Sequence, residues 1–96
     1  MLNEKIRKLR LAKGISQVEL AGKLHVTKQS VSNWENDNIQ PSIDMLVNIA
    51  KVFGVSADYL LDLDERRYIE ITDLDDEEIS HIQQLIFDMT RRKNKS

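Results

Sequence analysis

At 96 residues, 41% of them hydrophobic and 31% charged, the chain can bury one modest core with an appended element and has no room for a large second domain. The absence of cysteine and the wide separation of the two histidines, His25 and His81, exclude disulfides, thiolate metal sites and a histidine metal cluster, and no apolar run approaches the roughly 20 residues of a membrane span. The net charge of -2 is unevenly placed: residues 1–62 hold 8 basic against 7 acidic side chains and residues 63–96 hold 6 against 9, so the acidity lies in the tail and only the local field of one face can attract a polyanion.

In chain order, Leu2, Ile6 and Leu9, with the aliphatic stem of Lys13, recur at helical spacing, and Gly14 supplies a stop. Ser16 and Glu19 form a capping box that opens a short second helix through Leu20, Ala21 and Leu24. Thr27 caps a third helix, "TKQSVSNWEN", after a turn of about three residues. Pro41 and Ser42 start a fourth helix with an apolar stripe of Ile43, Leu46, Ile49, Ala50 and Phe53, ended by Gly54; Met45, Val47 and Val52 make it apolar almost all round, the expected centre of the core. Ser56 and Asp58 open a short fifth helix carrying Tyr59, Leu60 and Leu61.

The third helix is unusual in having only two large apolar residues, Val31 and Trp34. Its opposite side presents Gln29, Ser32, Asn33 and Asn36, flanked by Lys28 and Ser30. Amides, hydroxyls and one ammonium are the groups that read base edges: Asn and Gln bond bidentately to adenine, Lys to guanine. A merely solvated helix face would show Glu and Lys in alternation, and periodicity alone leaves the two readings level.

From Gln17 to Asn36, "QVELAGKLHVTKQSVSNWEN" resembles the helix-turn-helix of lambda-repressor-like (Cro/XRE-type) regulators, and "IRKLRLAKGISQ" and "PSIDMLVNIAKVFGVSADYLL" are similar to the flanking helices of that domain. The resemblance covers roughly residues 3–62. It implies an all-α, five-helix DNA-binding domain over residues 1–62 whose helix 27–36 lies in the major groove of double-stranded DNA. It implies further that Lys28, Gln29, Asn33 and Ser32 read bases and that Ser30 touches base or backbone. Gln17, Ser30, Asn36, Asn38 and Gln40 would contact phosphates. In similar domains an arginine of the first helix pairs with the glutamate after the recognition helix, here Arg10 with Glu35. The turn position that glycine usually fills holds His25, which takes a positive φ less readily, and Gly22 sits inside a helix, where glycine costs about 1 kcal/mol relative to alanine.

After a polar link over residues 63–67, "YIEIT" alternates with Ile69 and Ile71 on one face, the pattern of a short strand. Asp75 and Glu78 form a capping box for a last helix, acidic at its start and basic at its end, with Ile79, Ile82, Ile86 and Met89 spaced 3, 4, 3 and Leu85 widening the seam. Such a segment is not stable alone. Either residues 68–96 pack back on the first domain, or they pair with a second copy and make a homodimer through Ile69, Ile71, Ile79, Ile82, Leu85, Ile86 and Met89. The cluster Arg91, Arg92, Lys93 and Lys95 reads as a solvated helix end or a phosphate contact.

The expectation is a cytoplasmic, sequence-specific transcriptional regulator, a repressor bound as a homodimer to a palindromic operator, with no metal, no cofactor and no membrane partner. The alternative is an interaction protein that holds a toxin or antirepressor partner. No enzyme is expected, for there is no Gly-rich phosphate loop and no nucleophile–histidine pair. Too few residues follow the fifth helix for a self-cleaving domain, so induction is expected through a partner, a ligand or protein turnover.

Overall fold

The computed structural model describes residues 1–94. It contains six helices: α1 (Leu2–Lys13), α2 (Gln17–Leu24), α3 (Lys28–Glu35), α4 (Ile43–Phe53), α5 (Ala57–Leu60) and α6 (Asp76–Asn94). Helices α1–α5 pack around one core in which Ile6, Leu20, Val31, Ile49 and Leu60 are fully buried, one from each helix. Each such side chain contributes roughly 1.5–3 kcal/mol of transfer free energy, so short helices that could not persist alone are held by what they share.

Caps explain the boundaries. Ser16, Thr27, Ser42 and Ser56 each accept the backbone N–H three residues on, and Glu19 returns the bond to the Ser16 N–H to complete the capping box. At the other ends the chain repeatedly turns left-handed. Gly14, His25, Gly54 and Asp62 have φ of 73°, 58°, 65° and 63°. The next N–H in each case bonds five residues back: Ile15 to Arg10, Val26 to Ala21, Val55 to Ala50 and Leu63 to Asp58. Ile15, Val26 and Val55 then tuck against the core, whereas Leu63 stays exposed where the tail departs.

Three expectations are corrected. Lys13 is exposed, and the inner face of α1 is completed by Arg10 instead. Helix α4 is not buried all round: Ile49 and Ala50 are inside, but Ile43 is 81% exposed and Val47 is also exposed, because α4 lies on one side of the core and not through it. Tyr68 to Thr72 forms no strand, and there is none among the described residues; a strand needs a partner ladder, and this single chain offers none.

The tail holds itself only locally. Asp75 and Glu78 cap α6 reciprocally, at 2.8 and 3.1 Å. Residues 67–71 lie along α6 beside a groove of about 300 Å³. No extended contact joins α6 to α1–α5. Among the described residues, no helix is long and apolar enough to cross a membrane. Of the basic cluster at the end of α6, Lys95 lies outside the described residues.

Candidate nucleic-acid interface

Helices α2 and α3 meet through Leu20, Ala21, Leu24, Val31 and Trp34, all buried. The turn between them is Schellman-closed at His25 and re-opened by the Thr27 cap, so no residue of the connection is free to reorient α3 against α2. With Val31 and Trp34 facing inward, helical geometry turns the polar side of α3 outward. Lys28 and Gln29 are exposed, and Ser30, Ser32 and Asn33 are half-buried at its margins.

Hydrogen bonds fix several of these side chains before any ligand arrives. Gln29 Nε2 donates to Asn33 Oδ1 at 3.0 Å, one helical turn on, so the two amides form a single plate on the exposed face. Asn36 Nδ2 donates to Ser32 Oγ at 3.2 Å, and Thr27 Oγ1 and Ser30 Oγ share a hydrogen bond of 3.1 Å. Asn36 ends α3 as its C-cap. Asp37 follows with φ 58°, and the exposed Asn38 and Gln40 continue the loop. The Asn38 N–H bonds the Asn33 carbonyl at 2.9 Å, which ties the loop to the helix.

Beneath this face sits the principal buried charge of the domain. Arg10 Nε donates to Glu35 Oε2 at 2.6 Å and Arg10 Nη2 to Glu35 Oε1 at 3.0 Å. Arg10 Nη1 also donates to the Ile15 carbonyl at 2.9 Å, so one guanidinium joins α1, the α1–α2 turn and the end of α3. The hydrogen bond to Glu35, against the opposing effect of burial, holds the Arg10 guanidinium above its ordinary pKa. Because Glu35 is neutralised from within, it puts no unpaired anion next to the polar face of α3.

Two contacts here escaped the sequence reading. Gln17 Nε2 donates to Glu35 Oε1 at 3.1 Å, which anchors the first residue of α2 to the last of α3. The Arg10 bond to Ile15 was equally unreadable, since neither partner's spacing marks it. The Gln29–Asn33 pair did carry a signal, the four-residue interval.

Geometrically the face offers donors and acceptors in a fixed row, one cation at its N-terminal end, and flanking helix N-termini whose backbone N–H groups favour anions. The major groove of B-form DNA admits an α-helix, and amides and hydroxyls are the side chains that pair with base edges there.

Comparison with known proteins gives the same picture. A family model described as helix-turn-helix matches residues 6–60. The transcriptional regulator ImmR of Bacillus subtilis is 36% identical over 73 residues, 76% of this chain and 58% of that one. The transcriptional activator BcrR of Enterococcus faecalis is 38% identical over 63 residues, 66% of this chain and 31% of that one. The chain thus spans less than two thirds of the length of these relatives. Among solved structures, the P22 c2 repressor in complex with a synthetic operator superposes with a TM-score of 0.63 at 31% identity, over 67% of this chain and 97% of that one.

Proposed function

The chain belongs to the helix-turn-helix family of DNA-binding transcriptional regulators, which are not enzymes, and from that premise we propose that it is a sequence-specific repressor that occupies a palindromic operator as a homodimer. The observation that carries the reading is the preset amide plate of Gln29 and Asn33 on the outward side of a helix whose inward side is fully committed to the core.

In this reading residues 1–62 form the DNA-reading unit, residues 63–67 a link and residues 68–96 the oligomerisation element. Helix α3 enters the major groove. Lys28, Gln29, Ser32 and Asn33 meet base edges, while Gln17, Ser30, Asn36, Asn38 and Gln40 lie toward the phosphates. Lys28 is the one formal cation on this face of α3, so non-specific attraction to phosphate is weak and affinity depends on pairing two half-sites. The apolar surface that the tail leaves exposed, including Ile69, Leu85, Ile86 and Met89, supplies the means of pairing.

The test is selection of bound duplexes from a random pool at moderate ionic strength, followed by footprinting of the recovered site. The expected result is a two-fold symmetric site with half-site centres about 34 Å apart. Recovery of duplexes without sequence preference would overturn the reading, as would a working complex in which another polypeptide covers α3.

A further inference from the structure

Helix α6 is built symmetrically in two respects at once. Its seam residues Ile79, Ile82, Ile86 and Met89 are placed in mirror symmetry about the level of Gln84. The charges at its two ends are placed in mirror antisymmetry about the same level: the capping Asp75 is as far from Gln84 as Lys93, Asp76 as Arg92, and Glu77 as Arg91, while Glu78 and Asp88 have no such counterpart. The C-terminal half of the seam is open, with Ile86 52% and Met89 52% exposed, while Ile79 and Ile82 are half-buried beside residues 67–71. The opposite side is polar, where Gln84 Nε2 donates to Asp88 Oδ1 at 3.1 Å.

We propose that α6 pairs antiparallel with α6 of a second copy, crossing at Gln84, so that Ile79 packs on Met89 and Ile82 on Ile86 across a two-fold axis while each acidic start lies beside the other's basic end. The proposal rests on the homodimer reading above and specifies its geometry. A parallel pair could bury the same seam residues, but it would set Asp75 to Glu78 against their own copies, and Arg91 to Lys93 likewise. Only the antiparallel arrangement turns both ends from repulsion to attraction. It is also isologous, as a closed dimer requires: whatever one copy presents, the other receives. The seam alternates in 3 and 4 steps, so each layer of the antiparallel pair joins one residue preceded by a step of three to one followed by it, which keeps the knobs of the two helices in register.

The geometry has a consequence for DNA. Helix α6 has 19 residues and is therefore about 28 Å long. In an antiparallel pair the two links leave from opposite ends, separated by about that length, which approaches the half-site separation of about 34 Å. A parallel pair would release both links from one end. The groove between residues 67–71 and α6 is lined by Ile69 and Ile71 on one side and by the seam residues Ile79, Ile82 and Ile86 on the other, so a second helix seated on the seam meets Ile69 and Ile71 as a further apolar wall.

The chain has no cysteine, so single cysteines report pairing directly. Full-length Ile79→Cys, carrying an affinity tag, and untagged Met89→Cys are mixed, allowed to exchange subunits and oxidised. The expected product is the mixed disulfide, with loss of both like-with-like products; like-with-like disulfides in its place overturn the antiparallel register. A second variant leaves the seam intact: reversing Arg91→Glu, Arg92→Glu and Lys93→Glu together is read by sedimentation. Antiparallel pairing predicts a loss of dimer at low salt, because acidic ends then face acidic ends. An unchanged dimer overturns the register, since a parallel pair only exchanges one like-charge repulsion for another. A wild-type chain that sediments as a monomer at every concentration instead removes the homodimer reading itself, and the register with it.

Discussion

Arg10 and Glu35 form a two-point ion pair, at 2.6 and 3.0 Å, that ties the first helix to the end of the third with both side chains almost entirely out of water. Glu35→Ala would strand the guanidinium in that setting, and the expected loss is about 3–5 kcal/mol. Replacing both partners, Arg10→Met with Glu35→Leu, should cost much less, since no uncompensated charge remains. Denaturant unfolding of the two variants beside wild type checks both expectations; Glu35→Ala unfolding at the wild-type midpoint would refute the first.

Gln29 and Gln17 separate reading from positioning. Gln29→Ala removes half of the exposed amide plate and should relax preference at one base pair, by about 1–3 kcal/mol, while leaving the rest of the site unchanged. Gln17→Ala should weaken binding to all sequences about equally. Its bond to Glu35 adds a small stability loss, near 1 kcal/mol, which a thermal melt separates from the DNA effect. Binding measured against every single-base variant of the selected site distinguishes the two; uniform loss from both substitutions would reassign Gln29 to the backbone.

Two backbone positions in the helix-turn-helix run against local preference. His25 holds φ 58°, a region that β-branched residues hardly enter, so His25→Val should lose about 1–2 kcal/mol and His25→Gly should gain about 0.5 kcal/mol. Gly22 is exposed within α2, and a methyl group added there meets no heavy atom within 4 Å beyond the backbone of its own helix and its two chain neighbours. Gly22→Ala should therefore stabilise by about 1 kcal/mol. Thermal unfolding of these three variants gives the comparison, and a Gly22→Ala chain no more stable than wild type would contradict the open space found around that position.

Acid should loosen the start of the tail. Asp62 lies 2.9 Å from the Met1 ammonium and 2.9 Å from Lys5 Nζ, and its hydrogen bonds to these two cations hold its carboxyl below the ordinary value of 3.8. Lys5 also donates to the Tyr59 carbonyl at 2.9 Å and sits 3.8 Å above the Tyr59 ring. A depressed carboxyl contributes stability that is fully present above its unfolded pKa and is lost as pH falls through the lower folded value. Asp62→Asn keeps a residue that tolerates the φ of 63° found here, so it tests the charge alone. The variant should melt below wild type at pH 7, with the gap closing below pH 3.8; a gap independent of pH would assign the effect elsewhere.

The five-helix domain was legible because each boundary carries a local mark. Ser16, Thr27, Ser42 and Ser56 announce helix starts, Gly14 and Gly54 announce ends, and the apolar intervals name the inward faces. The left-handed ends at Asp37 and Asp62 were not legible, since aspartate adopts that conformation only when the surrounding hydrogen bonds demand it. The strand at Tyr68 to Thr72 failed for a related reason: alternation describes two faces, but a ladder requires a neighbour, and the alternation says nothing of where one is. The exposure of Ile43 and Val47 likewise follows from where α4 sits, not from its own composition.

By itself the sequence determined the helices, their caps, the all-helical class and the polar side of the third helix, because these depend on residues within a turn of one another. Only the tertiary structure decided that Ile15 and Gln17 join the Arg10–Glu35 pair at one point, and that α6 stands clear of the core with Ile86 and Met89 of its seam open. Contacts between residues distant in the chain depend on how helices cross, and crossing is set by the packing of all five core faces together, which no single stretch of the chain encodes.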